Sequence, residues 1–413
     1  MTPTTSRPPY PFWETATRPR AQALYAQVRQ QDPVHRAIGP VSGNPLWFLT
    51  RHADCVQALK DPRLGREPQK HLPPAIAGRY MGELGNDDNN PFAAINRNLL
   101  NMDPPDHTRL RALVHKAFTP RMVENLRPRI AQIAADLLDT MGGKTETDLI
   151  SDYAFPLPVT VIAEMLGVPA SDRDRFREWT RVLLFDGTQE TAAVAAMEVT
   201  MYLNEMIDAR QAEPTDDLIS ALVQAEDDGT RMDRLELLGM IFLLLVAGHE
   251  TTVNLIGNGM LALMQHPDQL ALLRTNLDDP TLVKAAIEEI LRYNGPVETA
   301  MLRIAYEDVA FGDTVIPAGE GVLPVLLAAN RDPAVFDAPD RFDITRQDNR
   351  HIAFGSGIHY CVGAPLARLE GQIAIPALIA RFESINLAIE PDALEWNPSL
   401  LLHGVRALPV ALR

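Results

Sequence analysis

The chain has 413 residues, of which 46% are hydrophobic and 22% are charged, so it has enough apolar material for the core of a large globular protein. Its formal net charge of −16 argues against non-specific binding to nucleic acid or to an anionic membrane surface. The two cysteines, Cys55 and Cys361, are too few for a disulfide framework or a cysteine-rich zinc site.

Neither a secretory signal nor a membrane-spanning segment is predicted. The first residues, MTPTTSRPPYPF, lack the apolar stretch of a signal peptide, and residues 1–12 are predicted to form a loose arm. The longest apolar run, residues 237–247, is too short to cross a bilayer. We therefore expect a cytoplasmic protein without a membrane anchor.

The N-terminal quarter of the chain mixes helix, strand and irregular segments. A helix is predicted over residues 21–31, a strand over residues 44–51, and a second helix from His52 onward. Residues 64–101 are rich in Pro, Gly, Asn and Asp and have no clear period. A long irregular stretch inside a helical chain is typical of a lid or a binding loop.

The rest of the chain is dominated by helical periodicity. Residues 107–294 are mostly helical, with Ser171 and Asp216 as predicted helix caps. After Pro296 the chain has hairpin-like turns and β-branched residues, and residues 400–413 again have the pattern of strands. The predicted fold class is mainly α with small β-sheets at the beginning and the end of one domain.

A glycine-rich loop, FGSGIHYCVG at residues 354–363, holds Cys361 directly before a predicted helix. Its glycines permit backbone conformations that residues with a Cβ avoid, and they let backbone N–H groups approach the sulfur. The positive end of the following helix would also favour a thiolate over a thiol. The loop is therefore predicted to hold one anionic sulfur in a fixed place.

Three roles for Cys361 are compatible with this loop. The first, a buried structural cysteine, fits Cys55 better, because Cys55 lies on a helical pattern among apolar neighbours. The second is a nucleophile with His359 as its base, but a spacing of two residues does not bring the side chains together, and no orienting acid is evident. The third is an axial thiolate ligand of haem iron, which needs one sulfur, a tight loop and a flat apolar cavity.

A second motif interrupts the apolar helix predicted to end before Pro267. The residues from Gly248 to Thr252, GHETT, half-resemble the zinc-protease pattern His-Glu-x-x-His, but Val253 occupies the position of the second histidine. A solvent-facing turn is disfavoured by the apolar stretch that precedes it. An adjacent acid and alcohol would instead suit the delivery of protons inside an apolar pocket.

Two further pairs of polar residues have the spacing of one helix face. Glu289 and Arg292 are three residues apart, and an exposed ion pair is the ordinary explanation of such a spacing. His107 and Arg111 are four residues apart, as in a solvated basic face or in an anion site. Sequence spacing alone leaves both alternatives open.

The cysteine loop, followed by Ala367, resembles the haem-ligand signature of the cytochrome P450 superfamily, soluble bacterial type. The segment AGHETT at residues 247–252 is similar to the oxygen-activation motif of the same family, and the resemblance runs from about Pro9 to the C-terminus. It implies the cytochrome P450 fold over residues 1–413, a single haem-thiolate domain. In that fold a helical core sandwiches haem b between a long central helix and the cysteine loop.

The resemblance also implies roles for individual residues. Cys361 would be the axial ligand of the haem iron, and Thr251 and Glu250 would be the catalytic alcohol and acid. Glu289 and Arg292 would form a buried structural pair, joined by a third arginine, Arg331 or Arg341. The propionates of the haem would be bound by four residues, namely His107, Arg111, Arg303 and His359. His249 occupies a variable position of the motif and receives no role.

The implied activity is insertion of one oxygen atom from O2 into a lipophilic small molecule, by hydroxylation or epoxidation. PVETA at residues 296–300 and the closing LLLHGVRALPV resemble the bacterial subgroup that oxidises macrolides, terpenoids and other secondary metabolites. The predicted pocket is lined by residues 64–101 and 182–190 and by Leu243, Ala247, Val297, Glu298 and Met301. Glu298 would either contact a cationic or hydroxylated substrate or stabilise a turn.

No flavin or iron–sulfur segment is evident, so the electrons would come from a ferredoxin or a flavodoxin with its reductase. Such partners are usually acidic, and four basic residues near the haem motifs are candidates for docking, namely Arg109, Lys116, Arg350 and Arg368. Two alternatives stay open at this stage. One is an atypical oxidation on the same fold, such as desaturation or coupling, and the other is a non-catalytic haem-binding sensor, against which the intact acid–alcohol pair argues.

Overall fold

The computed structural model describes Tyr10, Phe12 and residues 21–39, 43–80 and 92–413. The predicted loose arm, residues 1–12, lies outside the described residues except for Tyr10 and Phe12. Phe12 is buried and stacks on Phe48 with 4.3 Å between the ring centroids, so this residue is anchored in the core.

Helices form most of the described chain. Their bounds are α1 Ala21–Gln31, α2 His52–Lys60, α3 Pro68–His71, α4 Pro74–Ala77, α5 Ala93–Asn96, α6 Asp106–Ala117, α7 Pro120–Asn125, α8 Arg127–Met141, α9 Pro156–Leu166, α10 Arg173–Arg181, α11 Gln189–Ala212, α12 Leu218–Gln224, α13 Arg234–Gln265, α14 Pro267–Arg274, α15 Pro280–Asn294, α16 Leu326–Ala329 and α17 Ala364–Arg381. The mainly α prediction is confirmed, and the predicted helix over residues 21–31 has the predicted bounds.

Ten short strands form three small sheets within the described residues. The strands are β1 Val34–Ile38, β2 Pro45–Leu49, β3 Leu64–Gly65, β4 Glu146–Asp148, β5 Arg303–Ala305, β6 Val309–Phe311, β7 Thr314–Ile316, β8 Gly321–Pro324, β9 Ile385–Leu387 and β10 Pro409–Leu412. One sheet has the order β1-β2-β8-β5-β3, the second has the order β4-β10-β9, and β6 and β7 form a hairpin. Only β2 and β8 pair in parallel; β2 residue Trp47 lies opposite Val322.

The central helix α13 starts at a capping box and runs without a break through both halves of the predicted motif. The Asp233 carboxylate accepts from the Glu236 backbone N–H at 2.9 Å, and the Glu236 carboxylate accepts from the Asp233 N–H at 2.9 Å. In the described chain, α13 is the helix that is long and apolar enough to cross a membrane, but more than half of its most apolar stretch is buried inside the protein. A helix that is apolar on nearly every side is typical of a protein core.

Helices α9, α15 and α17 pack against α13 and form the main core with it. The close approach of α15 and α17 depends on Gly259, because a Cβ there would lie about 3.1 Å from Ile290 and 3.0 Å from Ile375. This packing holds α13 over the start of α17, where the cysteine loop ends. The fold therefore brings the two sequence motifs to the same cavity.

Several local predictions differ from the structure. Asp217 rather than Asp216 caps α12, and Asp172 rather than Ser171 precedes α10. Both errors are one residue, because runs of Ser and Asp offer several possible caps at a helix start. The C-terminal segment forms one strand, β10, and otherwise only isolated bridges at Leu402 and Val405.

Candidate active site

A cavity of about 510 Å³ lies between α13 and the cysteine loop. Cys361 and its neighbours line it on the loop side, and Glu250 and Thr251 line it on the α13 side. Most other side chains that line it are apolar, and they include Phe92, Leu184, Phe242, Leu243, Val246, Ala247, Val297, Ala300 and Met301. The cavity is thus a mostly apolar space that contains one thiol and one acid–alcohol pair.

The cysteine loop is held in its shape by backbone contacts. Gly357 has φ of +74°, and a Cβ at this position would overlap the Leu59 carbonyl of α2. The Cys361 N–H donates to the Phe354 carbonyl at 3.0 Å, which closes the loop. Glycine is therefore required at 357 both by the left-handed backbone and by the contact with α2.

The Cys361 thiol faces the cavity, and the backbone N–H groups of Gly363 and Ala364 are directed at its sulfur. Burial raises the pKa of this thiol, while the two N–H groups and the Arg111 guanidinium oppose the rise. The effect of burial is larger than that of the groups that favour a thiolate. A metal cation bound at the sulfur would favour the thiolate.

Arg111 contacts the loop itself. Its guanidinium donates to the Ile358 carbonyl at 2.7 Å and to the Tyr360 carbonyl at 2.8 Å. Arg111, an expected propionate ligand, here donates to the backbone on the N-terminal side of Cys361. This contact depends on carbonyl directions in the loop, which a sequence pattern does not specify.

His107, His359 and Arg303 form a buried cluster at one edge of the cavity. The rings of His107 and His359 lie 4.4 Å apart, and His359 and Arg303 line the cavity while His107 lies behind them. Both ring nitrogens of each histidine and the Nε of Arg303 lack hydrogen-bond partners within the described chain. Buried polar atoms in this number are unusual unless a ligand binds them.

The electrostatics of this cluster favour an anion. Burial, reinforced by Arg303, His107, Arg66 and Arg111, lowers the pKa of His359 to about 2. Burial also lowers the pKa of Arg303 to about 10. Because these groups are buried and repel one another, a bound carboxylate would satisfy several of them at once. The cluster fits the propionates of a haem whose iron lies at Cys361.

Arg66 is a cavity residue that the sequence reasoning missed. It follows β3, is buried, and donates to the Leu302 carbonyl and to the Asn101 side chain. Burial and the nearby Arg303 lower its pKa to about 10. It belongs to the irregular segment 64–101, where no motif distinguishes one arginine from another.

Glu250 and Thr251 occupy the turn of α13 that faces the cavity. The Thr251 hydroxyl donates to the Ala247 carbonyl at 2.7 Å, one turn earlier on the helix. Burial alone raises the pKa of Glu250 to about 7. A carboxyl with a pKa near neutrality both gives up and recovers a proton under ordinary conditions.

His249 is directed away from the cavity and is almost completely buried. Its Nδ1 lies 2.7 Å from the Leu245 carbonyl, and its ring meets Phe155 edge-on at 5.9 Å. The Nε2 atom lies 3.8 Å from Oε2 of Glu250. Burial lowers the pKa of His249 to about 4, so the imidazole is neutral at pH 7.

Glu370 of α17 is a second buried acid, and the sequence reasoning missed it. It is fully buried beside Thr252, and burial raises its pKa to about 8, opposed by a hydrogen bond from the Thr252 side chain. A Glu inside the sequence LARLEGQ has the pattern of an ordinary surface residue. Only the packing of α17 on α13 reveals that it is buried.

Glu289 and Arg292 form a completely buried ion pair, with Nε to Oε2 at 2.7 Å. The third arginine at this pair is Arg346, whose Nε lies 3.1 Å from Oε2 of Glu289. The expectation of Arg331 or Arg341 is therefore wrong. Arg341 contributes its carbonyl to Arg292 at 3.0 Å, and the Arg331 guanidinium donates to the Tyr293 carbonyl at 2.7 Å.

Glu298 does not line the cavity, so the expectation that it faces the substrate is wrong. Its backbone N–H donates to the Leu401 carbonyl at 2.8 Å, and the Tyr25 hydroxyl donates to its carboxylate. His403 lies 3.9 Å from the same carboxylate. The side chains of Val297 and Met301 do line the cavity, and Glu298 is directed into the core between α1 and the C-terminal segment.

Comparisons with known proteins place this architecture in a family. The cytochrome P450 family model matches residues 159–407. The chain is 52% identical over 390 residues to cytochrome P450 107B1 of Saccharopolyspora erythraea, an alignment that covers 94% of this chain and 93% of that protein. It is 43% identical over 395 residues to 6-deoxyerythronolide B hydroxylase of the same organism, with coverage of 94% and 95%.

A similar fold is found in the crystal structure of a myxobacterial cytochrome P450, CYP267B1, in complex with myristic acid. The TM-score is 0.89 at 45% sequence identity, and the match covers 97% of this chain and 98% of that chain. The resemblance to bacterial P450s that the two sequence motifs indicated is confirmed, as is the cytochrome P450 fold. The chain belongs to the cytochrome P450 family and is a cytochrome P450 monooxygenase, an oxidoreductase with a haem iron centre.

Proposed function

We propose that this monooxygenase inserts one oxygen atom from O2 into a bulky lipophilic secondary metabolite, with a macrolide or its macrolactone precursor as the preferred class. One observation carries the proposal: a single, mostly apolar cavity is lined by Cys361 and by the pair Glu250–Thr251. The name of the relative 6-deoxyerythronolide B hydroxylase supports the substrate class. Hydroxylation is the expected outcome, and epoxidation follows where a double bond lies nearest the reactive centre.

Haem b would be held by Cys361 at its iron and by His107, Arg303 and His359 at its propionates. When bound, it supplies the oxidising chemistry that no side chain of this protein has. The unpartnered nitrogens of the two histidines and of Arg303 support this assignment, since the N–H of each neutral imidazole and the Nε–H of Arg303 gain a carboxylate oxygen as acceptor. Arg111 supports the cysteine loop from its opposite side through Ile358 and Tyr360.

Glu250 and Thr251 would supply protons to the reacting oxygen. Glu250 has a pKa near 7 because it is buried, and it therefore carries a transferable proton in a substantial fraction of molecules at neutral pH. The Thr251 hydroxyl donates to the Ala247 carbonyl, which leaves its oxygen lone pairs directed into the cavity side of the helix. The apolar lining excludes bulk water, so protons must come through these side chains.

The substrate pocket favours apolar contact over charge recognition. Leu184, Leu243 and Met301 come from three separate segments of the chain and converge on the cavity. Polar contacts would come from the amides of Asn96 and Asn98, which also line it. A large ring with a few hydroxyl or carbonyl groups matches this combination of an apolar lining and isolated polar groups.

Electrons would come from a ferredoxin or a flavodoxin with its reductase, in the cytoplasm. The four docking candidates all belong to ion pairs: Arg109 with Glu236, Lys116 with Asp227, Arg350 with Asp348, and Arg368 with Glu288. Paired charges attract an acidic partner less than free ones do. Docking is therefore expected to depend on shape and on several weak charges rather than on one strongly basic patch.

The deciding experiment is an absorbance titration of the ferric protein with macrolactones, terpenoids, steroids and fatty acids. A macrolactone that shifts the Soret band toward high spin at the lowest concentration supports the proposed substrate class. If fatty acids bind more tightly than macrolactones, the proposed substrate class is wrong and fatty acids take its place. A protein with no Soret band after haem reconstitution would overturn the role of Cys361.

The proton role is tested by comparing Thr251→Ala with Thr251→Ser in the presence of a binding substrate. The alanine variant should consume reductant and release peroxide instead of product, because it has no hydroxyl at this position. The serine variant retains the hydroxyl and should keep most of the coupling. Equal coupling in both variants would remove Thr251 from the mechanism.

A further inference from the structure

His249 interrupts the apolar surface of α13, yet nothing in the proposed function uses it. Its side chain is 1% exposed, and Phe155 covers the ring from the turn that precedes α9. Nδ1 lies 2.7 Å from the Leu245 carbonyl, an oxygen that only accepts, so Nδ1 carries the hydrogen. A neutral imidazole has one N–H, and therefore Nε2 has a free lone pair.

That lone pair belongs to a buried nitrogen without a hydrogen-bond partner in the described chain. Oε2 of Glu250 lies 3.8 Å from this nitrogen. The terminal torsion of a glutamate is broad, so a small rotation of the carboxyl shortens this separation to a hydrogen bond. The energetic cost of a buried nitrogen without a partner favours this rotation.

The protonation states of the two side chains are complementary. Burial lowers the pKa of His249 to about 4 and raises the pKa of Glu250 to about 7. At neutral pH the imidazole is therefore an acceptor, while Glu250 has a substantial protonated fraction whose O–H is a donor. Neither side chain carries a full charge in this state, which suits a site of low dielectric.

The side chains that pack against the pair are apolar, and the charged groups on neighbouring elements contact other residues. Helix α9 contributes Ile162, which packs on Gly248, and the preceding turn contributes Phe155. The charged groups on neighbouring elements are Arg177 of α10, which lies over the Phe155 ring at 4.7 Å, and Glu370 of α17, which lies beside Thr252. Neither contributes to the pKa shift of His249 or of Glu250.

We propose that His249 is a positioning residue for the catalytic acid: its Nε2 accepts the carboxyl hydrogen of Glu250 and holds this neutral acid at the cavity wall. The inference rests on the proposed role of Glu250 and deepens it. From this position the carboxyl turns toward Thr251 when its proton is needed, and it returns to His249 after a proton from solvent has replaced the one that it gave up. The histidine stays neutral throughout and neither gains nor loses a proton.

The test compares two amides at position 249. In His249→Asn the amide replaces Nδ1 and can donate to Leu245, but nothing replaces Nε2. In His249→Gln the longer side chain places an amide oxygen near the former Nε2 position. The two variants therefore separate the Nε2 contact from the rest of the ring, and the glutamine variant serves as the conservative rescue.

The primary readout is an infrared pH titration of the Glu250 carboxyl, identified by the band that disappears in Glu250→Gln. An acceptor for the protonated form raises the pKa of an acid, so H249N should lower the midpoint by about one pH unit, as expected for the loss of one buried hydrogen bond. H249Q should restore most of that shift. Identical midpoints in the parent, H249N and H249Q would overturn the proposal. Equal shifts in the two variants would also overturn it, because a change in packing alone would shift both midpoints alike.

A second readout separates this inference from the proposed function. With a binding substrate, H249N should release about tenfold more peroxide per electron pair consumed, and H249Q should be close to the parent. If Glu250→Gln leaves peroxide release unchanged, the acid role of Glu250 fails, while the infrared midpoints still decide whether His249 binds its proton. If H249N does not fold, His249→Leu removes the acceptor with an apolar side chain and must give the same downward shift of the midpoint.

Discussion

Two clusters of polar side chains in the core differ in how their hydrogen-bonding atoms are satisfied. In the cluster around Glu289 and Arg292, all five guanidinium hydrogens of Arg292 are used: two go to the Glu289 carboxylate and three to the carbonyls of Asn330, Pro339 and Arg341. In the cluster of His107, His359 and Arg303, the ring nitrogens and one guanidinium nitrogen have no partner in the described chain.

Arg303 and Arg292 are both buried, so burial of an arginine does not by itself distinguish a structural charge from a binding one. The difference lies in the completeness of the hydrogen bonding. A cluster whose donors and acceptors are all paired holds the fold together, whereas a cluster that contains one cation and unpaired N–H donors suits an anionic ligand. The predictions below test this distinction, beginning with the largest expected effect.

Glu289→Ala leaves the Arg292 guanidinium buried without its carboxylate and removes an acceptor of Arg346. Breaking a buried pair in this way costs about 3–5 kcal/mol in the free energy of unfolding. Denaturant unfolding of the variant measures this loss. The matched control is Glu124→Ala, since Glu124 and Arg127 have the same Glu-x-x-Arg spacing but side chains that are 62% and 46% exposed. A similar loss in both variants would show that completeness of the buried network is irrelevant.

Glu250 is a buried acid without a cation partner, and it makes stability fall as pH rises. Its pKa rises from 4.5 to about 7 on folding, so between these values the folded state holds a proton that the unfolded state has lost. The free energy of unfolding of the parent should therefore decrease by about 1.4 kcal/mol per pH unit in this window from this group.

Glu250→Gln removes this contribution. The free energy of unfolding of the variant minus that of the parent should therefore increase between pH 4.5 and 7 and stay constant above pH 7. Urea unfolding at a series of pH values measures the difference. Glu370, with a pKa of about 8, also makes stability fall as pH rises. It is present in both proteins, so its contribution cancels in the difference. A difference that does not depend on pH would mean that Glu250 is ionised in the folded protein.

Arg303→Leu should have opposite consequences with and without haem. In the haem-loaded protein it removes a donor to a propionate, and haem should transfer to an excess of haem-free acceptor protein at least about tenfold faster. In the haem-free protein it removes a buried cation that lowers the pKa of His359, so stability should be unchanged or higher.

The control for this variant is Arg274→Leu, because Arg274 donates to the carbonyls of Ile379 and Phe382 at 2.7 Å and does not line the cavity. It should destabilise the protein in both states and leave the rate of haem transfer unchanged. If Arg303→Leu behaves in the same way, the cluster is structural and the comparison between the two clusters fails.

The smallest effect is expected for the surface. Lys116→Glu should slow reduction by an acidic electron donor by roughly threefold at low salt, and less at high salt, because Asp227 at 2.6 Å already offsets the lysine charge. Rapid-mixing measurements at two salt concentrations test this. The control is Lys144→Glu, because Lys144 forms a similar 2.6 Å ion pair with Asp152 next to β4. This charge reversal should leave the rate of reduction unchanged. Equal slowing by both reversals would exclude a specific docking face near Lys116.

The sequence predicted what depends on spacing along one element. The cysteine loop, the Glu250–Thr251 turn and the Glu289–Arg292 pair are each local; the first two line one cavity, and the pair is buried as expected. The same Glu-x-x-Arg spacing also occurs at Glu124 on the surface, so the pattern alone does not reveal which pair is buried.

The sequence reasoning missed the contacts that depend on how distant elements pack. Arg346 reaches Glu289 across 57 residues, Glu370 reaches Thr252 between two helices, and Tyr25 turns Glu298 away from the cavity across 273 residues. The sequence analysis gave His249 no role. Its proposed role depends on its contact with the Leu245 carbonyl and on the orientation of the Glu250 carboxyl, and neither can be read from a motif. Such features follow from three-dimensional packing and have no period or motif of their own.

The strand order of the five-stranded sheet also determines when its strands can pair during synthesis of the chain. Strands β1 to β3 come from the first 65 residues, yet β3 pairs with β5 and β2 pairs with β8, which ends at Pro324. Until the ribosome has made that part, these early strands have unpaired edges that invite aggregation. Of the residues proposed to hold haem, His107, Arg303 and Cys361 are made in that order, so the proposed iron ligand comes last. Leu401 and Leu402, which also line the cavity, follow later still, so the proposed site is complete only near the end of translation.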